Sequence, residues 1–161
     1  MRGANKYLLV LLIALGGSVA RPAMTAQSPE DAAERVVRAC YRWHFSHDKA
    51  FTDRSVHQKE RWLAPDLLTA CSAYLARTAG HEGAPSIEGD PFTDSQEYPR
   101  SHRVGTANID GGVASVPVTM IWRHERRIVT VKLRQIDGAW RISDLVPEGT
   151  PPLTSLLMDG T

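Results

Sequence analysis

The sequence predicts an α+β fold in which N-terminal helices pack on a curved antiparallel sheet, in the manner of a cone-like or cystatin-like roll. Three observations support this fold class. Two segments with helical apolar spacing come first, alternating apolar and polar residues dominate after residue 102, and turn signals separate the alternating segments. With 161 residues, of which 42% are hydrophobic and 23% charged, the chain has the size and composition of one domain with one core.

The N-terminus is typical of a cleavable secretion signal covering residues 1–26. Arg2 and Lys6 form a basic start, and residues 7–15 form a short apolar segment that small residues follow. Because this segment is well short of the ~20 residues that span a bilayer, we expect no stable membrane anchor after cleavage. The expected product is a periplasmic or secreted protein.

Two positions fit the cleavage of this signal. Small residues precede the bond after Ala20 and the bond after Ala26, and the second position is preferred. Residues 27–161 then form a single α+β domain. Three of the 19 Lys and Arg residues and none of the 18 Asp and Glu residues lie before residue 27, so this domain carries a formal charge of −2. The composition gives no electrostatic footprint for nucleic acid.

Two helices are predicted at the start of the domain. Ser28 before Pro29 is a typical helix start, and the apolar stripe that follows continues to about Phe45 or His47. The polar residues 48–60 predict a loop. A second helix is expected from Pro65 to about Thr78, before Gly80.

The chain has two cysteines, Cys40 and Cys71, each on the apolar face of a predicted helix. Export would place them where disulfides persist, so the sequence favours a Cys40–Cys71 bridge. The alternative is a pair of reduced, buried and inert thiols. A catalytic thiol is not expected, because apolar burial raises the pKa of a thiol.

The second half of the domain predicts an antiparallel meander. Residues 80–102 form a long polar connection. Alternating strands are expected over residues 104–109, 113–122, 127–136 and 139–146, and a short helix is expected over the last leucines. Pro117 predicts an edge or a bulge in the second strand. Asp137-Gly138 is a strong hairpin signal.

Several local strings resemble known families. The string DGAWRISDL (137–145) resembles the last hairpin of the cone-shaped α+β proteins named after nuclear transport factor two. The chain also resembles a bacterial family of exported proteins known as domain of unknown function 3828, through the strings CYRWHF (40–45), WLAPDL (62–67) and GDPFTDSQEYP (89–99). This resemblance implies a cone-like fold and an exported location. It implies no activity and no catalytic residue, although related exported families include immunity proteins.

The end of the first helix offers candidate pocket residues. Tyr41, Trp43 and His44, with Phe45, could line a cavity between the helices and the sheet, and Asp144 could face His44 across it as an acid–base partner. The alternatives are ordinary core packing for the aromatic residues and a strand-end hydrogen bond for Asp144. His44 and His47 have the spacing of a metal pair, but the sequence supplies no third ligand, so we expect no metal and no cofactor.

The long connection offers candidate partner-binding residues: Asp90, Phe92, Asp94 and Tyr98. Its acidic residues do not follow the spacing of a calcium-binding loop, so a solvated loop with local turns is expected. Phe92 and Tyr98 would anchor the loop or be presented to a partner. Arginines surround His124 at a later hairpin and would either contact an acidic partner or maintain solubility.

No nucleophile elbow, phosphate-binding glycine loop or zinc-knuckle spacing is present. We therefore expect a small non-enzymatic binding module of the cell envelope that acts on another envelope protein, as an inhibitor or immunity-type protein. The alternative is a small-molecule-binding pocket protein or a pocket enzyme of the cone-shaped fold.

Overall fold

The structure, a computed structural model, describes residues 27–47, 49–80 and 86–159. The predicted secretion signal and both candidate cleavage positions lie outside these residues. Among the helices described, none is both long and apolar enough to cross a bilayer.

The described residues form four helices: α1 Pro29–Ser46, α2 Asp53–His57, α3 Pro65–Thr78 and α4 Leu153–Met158. The predicted start of α1 is confirmed, because the Ser28 hydroxyl accepts a hydrogen bond from the Asp31 N–H at 3.1 Å and Pro29 occupies the first turn. The predicted bounds of α3 are confirmed as well.

The loop predicted over residues 48–60 is wrong in part, because it contains α2. This helix begins with a capping box. The Thr52 side chain accepts a hydrogen bond from the Ser55 N–H, and the Ser55 side chain accepts one from the Thr52 N–H, each at 3.2 Å. A helix of five residues completes too few turns to show an apolar stripe, and the sequence pattern therefore missed it.

Within the described residues, five strands form one curved, unclosed antiparallel sheet: β1 Ser101–Val104, β2 Asn108–Asp110, β3 Val113–Ile121, β4 Arg126–Ile136 and β5 Ala139–Pro147. The strand order is β1-β3-β4-β5, and β2 also pairs with β3. The predicted turn between β4 and β5 is confirmed, because Asp137 and Gly138 have φ of 50° and 76°. The fold is the predicted α+β arrangement of helices packed on a sheet.

The first predicted strand, over residues 104–109, is divided into β1 and β2. Between them the Gly105 N–H donates to the Pro117 carbonyl at 2.8 Å, and the Ala107 N–H donates to the Glu34 carboxylate at 2.9 Å. Pro117 lies in the central strand β3, not at a sheet edge. Its nitrogen and carbonyl point to the same side of β3, toward the gap between β1 and β2, so the missing N–H leaves the β3–β4 ladder complete.

The outer edge of β5 is covered by the segment before α3. The Ile142 N–H donates to the Trp62 carbonyl at 2.7 Å, and the Ala64 N–H donates to the Ile142 carbonyl at 2.8 Å. This parallel pairing protects an edge that would otherwise present free backbone groups. A β-bulge interrupts the pairing of β5 with β4 next to Ile142, between Lys132 and Leu133.

The core lies between the inner face of the sheet and α1, which packs across β1, β3 and β5. Alternate residues of β3 and β4 are buried, as their period of two predicts. The largest side chains that are fully enclosed there include Tyr41, Met120, Leu133, Ile142 and Leu145.

Replacing Gly105 with alanine tests how closely the segment between β1 and β2 packs on Pro117. A Cβ at residue 105 would lie 2.9 Å from Cγ of Pro117 and 3.2 Å from its carbonyl oxygen. We expect Gly105→Ala to lower the free energy of unfolding by about 1–3 kcal/mol, measured by urea denaturation. Thr106→Ala, at the exposed neighbouring position, serves as the control and should change it by less than ~0.5 kcal/mol. Equal effects of the two substitutions would contradict this packing.

Candidate functional site

A buried imidazole–carboxylate pair joins α1 to the connection that precedes β1. Nε2 of His44 lies 2.7 Å from Oδ2 of Asp90, and both side chains are almost fully enclosed. Asp90 also accepts hydrogen bonds from the Phe92 N–H at 3.0 Å and from the Thr93 hydroxyl at 3.1 Å. Three donors therefore satisfy the buried carboxylate.

Residues 86–100, called here the 86–100 loop, fold back on themselves around Asp90. The Asp90 N–H donates to the Ser95 carbonyl at 3.0 Å, and Gly89 beside it has φ of +88°. A Cβ at Gly89 would lie 2.7 Å from the Ser95 carbonyl oxygen, so only glycine allows this close approach. The loop thus has internal order that its polar sequence did not reveal.

Aromatic rings surround the pair. The Tyr41 hydroxyl donates to the Phe92 carbonyl at 3.0 Å, and the Phe92 ring stacks on the His44 ring with centroids 4.9 Å apart. Burial raises the pKa of Tyr41 well above its ordinary value, with smaller contributions from Cys40 and Asp90. Tyr41 and Phe92 are therefore core residues that attach the loop to α1, and Phe92 is not presented to solvent.

Lys59 is buried beneath the same loop. Its ammonium group donates to the Ser55 carbonyl at 2.9 Å and lies 5.0 Å from the Trp43 ring centroid and 5.1 Å from that of Phe92. Sequence reasoning missed this residue, because it lies in the polar stretch assigned to a loop. The spacing of Val56, Lys59 and Leu63 (i, i+3, i+7) was the signal that could have revealed it.

The geometry of the pair indicates a structural role. A histidine oriented by a carboxylate can act as a general base when its other nitrogen reaches a substrate. His44 is fully enclosed, and its Nδ1 has no hydrogen-bond partner among the described residues. The pair therefore fixes the 86–100 loop on α1 and presents no reactive nitrogen to solvent.

Asp144 does not face His44. Its carboxylate accepts from the Thr154 hydroxyl at 2.8 Å, from the Thr154 N–H at 3.1 Å and from the Leu145 N–H at 2.8 Å. The expected pairing with His44 fails because of the β-bulge in β5. Ile142 lies opposite Leu133 and Asp144 lies opposite Lys132, so Ser143 has no partner of its own in β4. This extra residue shifts the alternation of β5. Leu145, not Asp144, continues the buried face, and Asp144 holds the start of α4.

The remaining candidates on α1 take part in packing. Trp43 is partly buried and stacks on the His47 ring with centroids 4.4 Å apart, while Nδ1 of His47 lies 2.8 Å from the Trp43 carbonyl oxygen. His44 and His47 thus have separate partners. Across the residues the structure describes, no group of three or more potential ligands could hold a metal ion.

The predicted Cys40–Cys71 disulfide is wrong, because both cysteines are free and buried. Their helices pack mainly on other neighbours: α1 on the sheet, and α3 on α2, α4 and β5. Burial raises the pKa of each thiol to about 12, against the opposing effect of the nearby Lys59 ammonium group. The two cysteines are reduced and inert, which was the alternative interpretation of the sequence.

Asp94 lies on the other side of the 86–100 loop, with φ of 53°. Its carbonyl accepts from the Arg127 guanidinium at 2.5 Å, which attaches the loop to β4. Partial burial raises the pKa of its carboxyl group, and Arg127 opposes that shift. The side chain borders a groove of about 490 Å³, which includes Glu88 and Leu153.

Tyr98 is exposed at the end of the loop, next to the turn between β3 and β4. The residue has 44% of its surface exposed, and the Lys49 ammonium lies 4.4 Å from its ring centroid. The Trp122 indole donates to the Glu97 carbonyl at 3.2 Å, so that both aromatic residues border one cleft of about 610 Å³. We define the Tyr98 patch as Tyr98, Trp122 and three arginines that border this cleft, which are Arg100, Arg123 and Arg127.

The protein was compared with known proteins in three ways. A scan against models of protein families, a search of curated proteins and a search of solved structures each returned no match. The resemblance to the exported family and to the cone-shaped proteins therefore stays a prediction.

Replacing Asp90 tests the role of the buried pair. Asp90→Ala would leave His44 and the Phe92 N–H without the acceptor that they share, while the Thr93 hydroxyl would keep the carbonyl of residue 90 at 3.3 Å. We expect it to lower the free energy of unfolding by about 3 kcal/mol. Asp90→Asn keeps one acceptor oxygen and should have a smaller effect. Glu88→Ala removes an exposed carboxylate from the same loop and is the control, with an expected change below ~0.5 kcal/mol. Chemical denaturation of the three variants would disprove the role if Asp90→Ala matched the control.

Proposed function

We propose that the protein is an exported, non-enzymatic binding module of the cell envelope that binds a partner protein through the Tyr98 patch. One observation carries this proposal: the end of the 86–100 loop, which buried contacts fix to the core, lies beside the β3–β4 turn, so that Tyr98 and Trp122 stand together with arginine side chains from both segments. An inhibitor or immunity-type protein is the form proposed here, by analogy with related exported families.

The chemistry of the Tyr98 patch is that of a protein interface. Tyrosine, tryptophan and arginine are the residues most enriched among those that contribute most to binding energy. The three arginines exceed the two neighbouring glutamates, Glu97 and Glu125, and Arg127 pairs with Glu125 at 2.5 Å. This balance favours a partner with an acidic surface.

Preorganisation also favours this surface. The 86–100 loop is attached at Asp90, at Asp94 and at Glu97, by contacts to α1, β4 and Trp122. Such a loop loses little conformational entropy when a partner binds, and less of the contact energy is spent on ordering it.

The alternative function, a pocket enzyme, depends on His44 and Asp144 facing each other across a cavity. His44 pairs with Asp90, and Asp144 holds α4, so this catalytic arrangement has no support among the described residues.

Affinity capture with matched variants tests the proposed function. The purified protein would be immobilised and exposed to an envelope extract of the cells that produce it, beside a Tyr98→Ala/Arg123→Glu variant. The matched control is Val113→Ala/Arg54→Glu, which changes an exposed apolar residue and an exposed arginine outside the patch.

We expect a protein that the wild type and the control capture, and that the patch variant binds at least about tenfold more weakly. Its binding should weaken as salt is added, because the arginines contribute electrostatic attraction. Equal capture by the patch variant and the control would overturn the assignment of the interface to this patch.

A further inference from the structure

A second cationic cleft lies between α1 and β1. Its volume is about 470 Å³, within the usual size of a small-molecule site, and it shares no residue with the Tyr98 patch. The side chains that define it are Arg38, Arg42, Phe45, Ser46, His102 and Arg103. We call it the α1–β1 cleft.

The charges in this cleft are unbalanced. Arg38 pairs with Glu34 at 2.8 Å, and the other oxygen of that carboxylate accepts from the Ala107 N–H, so Glu34 is fully occupied. Among the residues described, neither Arg42 nor Arg103 has an ion-pair partner, and no carboxylate borders the cleft. Two guanidinium groups are therefore available to an anion from solvent.

An aromatic pair forms part of the same wall. The Phe45 and His102 rings stack with centroids 4.5 Å apart and planes within 12°. Both residues are partly buried and border the cleft, so they offer apolar surface beside the guanidinium groups. A ligand that combines a flat apolar group with a negative charge would contact both features.

We propose that the α1–β1 cleft binds a small phosphate ester that carries a planar apolar group, with Arg42 and Arg103 on the phosphate and the Phe45–His102 pair against the planar group. Each guanidinium group carries several N–H donors in a planar fork. The two groups together offer more donors than one carboxylate can accept, whereas a phosphate ester accepts hydrogen bonds with three oxygens. The phosphate part of this chemistry also exists in lipid headgroups, which carry no planar apolar group.

His102 gives this site an independent spectroscopic signature. Partial burial lowers the pKa of its imidazole, and the nearby His44 adds to this effect. The groups that face His102 are Tyr41 and Phe45 from α1, with the cleft arginines beside it. A bound phosphate would favour the imidazolium, so the pKa of His102 should rise on binding.

Titration calorimetry with phenyl phosphate tests the proposal directly. We expect saturable binding with a dissociation constant of about 1 mM or tighter, and weaker binding of inorganic phosphate, which lacks the ring. Arg42→Ala and Arg103→Ala should each weaken the binding about tenfold or more. Arg54→Ala removes the same charge from an exposed position on α2 and should leave the affinity unchanged.

No binding up to about 10 mM phenyl phosphate, or equal weakening by Arg54→Ala, would overturn the proposal. Unfolding curves of the variants exclude loss of folding as the cause. NMR titration of the imidazole supplies the second readout: a His102 pKa that does not rise with saturating phenyl phosphate also contradicts the assigned site.

Vesicle sedimentation distinguishes the two sources of ligand. Binding to phosphatidylglycerol vesicles that exceeds binding to phosphatidylcholine vesicles, and that Arg42→Ala abolishes, would identify a lipid headgroup and would contradict the part assigned to the planar group. Binding of phenyl phosphate with no such vesicle binding would identify a soluble ester. Absence of both would overturn the site, while leaving the proposed function of the Tyr98 patch unaffected.

Discussion

The buried contact between His44 and Asp90 determines how the 86–100 loop lies on the domain. A carboxylate inside a protein is tolerated only when donors surround it, and here the imidazole, one backbone N–H and one hydroxyl supply them. Lifting the loop away from α1 would separate the imidazole of His44 from the carboxylate of Asp90. The phenol of Tyr41 adds a second buried hydrogen bond between α1 and the loop. Helix and loop therefore behave as one unit.

This constraint explains why a polar connection carries an ordered surface. The loop leaves its anchor at Asp90, crosses to Arg127 through the Asp94 carbonyl, and ends beside Trp122, where Tyr98 is exposed. Fixed aromatic and arginine side chains are suited to recognising another protein, whereas the enclosed histidine is unsuited to catalysis. The α1–β1 cleft lies on the same helix, so α1 supports both proposed binding surfaces.

Local signals in the sequence predicted the helices α1 and α3, the alternating strands and the Asp137-Gly138 turn, because caps, periodicity and positive φ depend on neighbouring residues. Contacts between distant residues escaped prediction: His44 and Asp90 are 46 positions apart. The bulge at Ser143 reversed the expected orientation of Asp144, since alternation continues only while the ladder is regular. The buried Lys59 was missed because its neighbours are polar.

Amide hydrogen exchange of the wild-type protein tests the central claim that the loop is part of the core. The N–H groups of Phe92 and Asp94 donate to Asp90 at 3.0 and 2.9 Å. If the buried pair fixes the loop, these amides exchange as slowly as those of the β3–β4 ladder, through near-global unfolding. Exchange near the rate of an unprotected amide, while the ladder stays protected, would contradict the account.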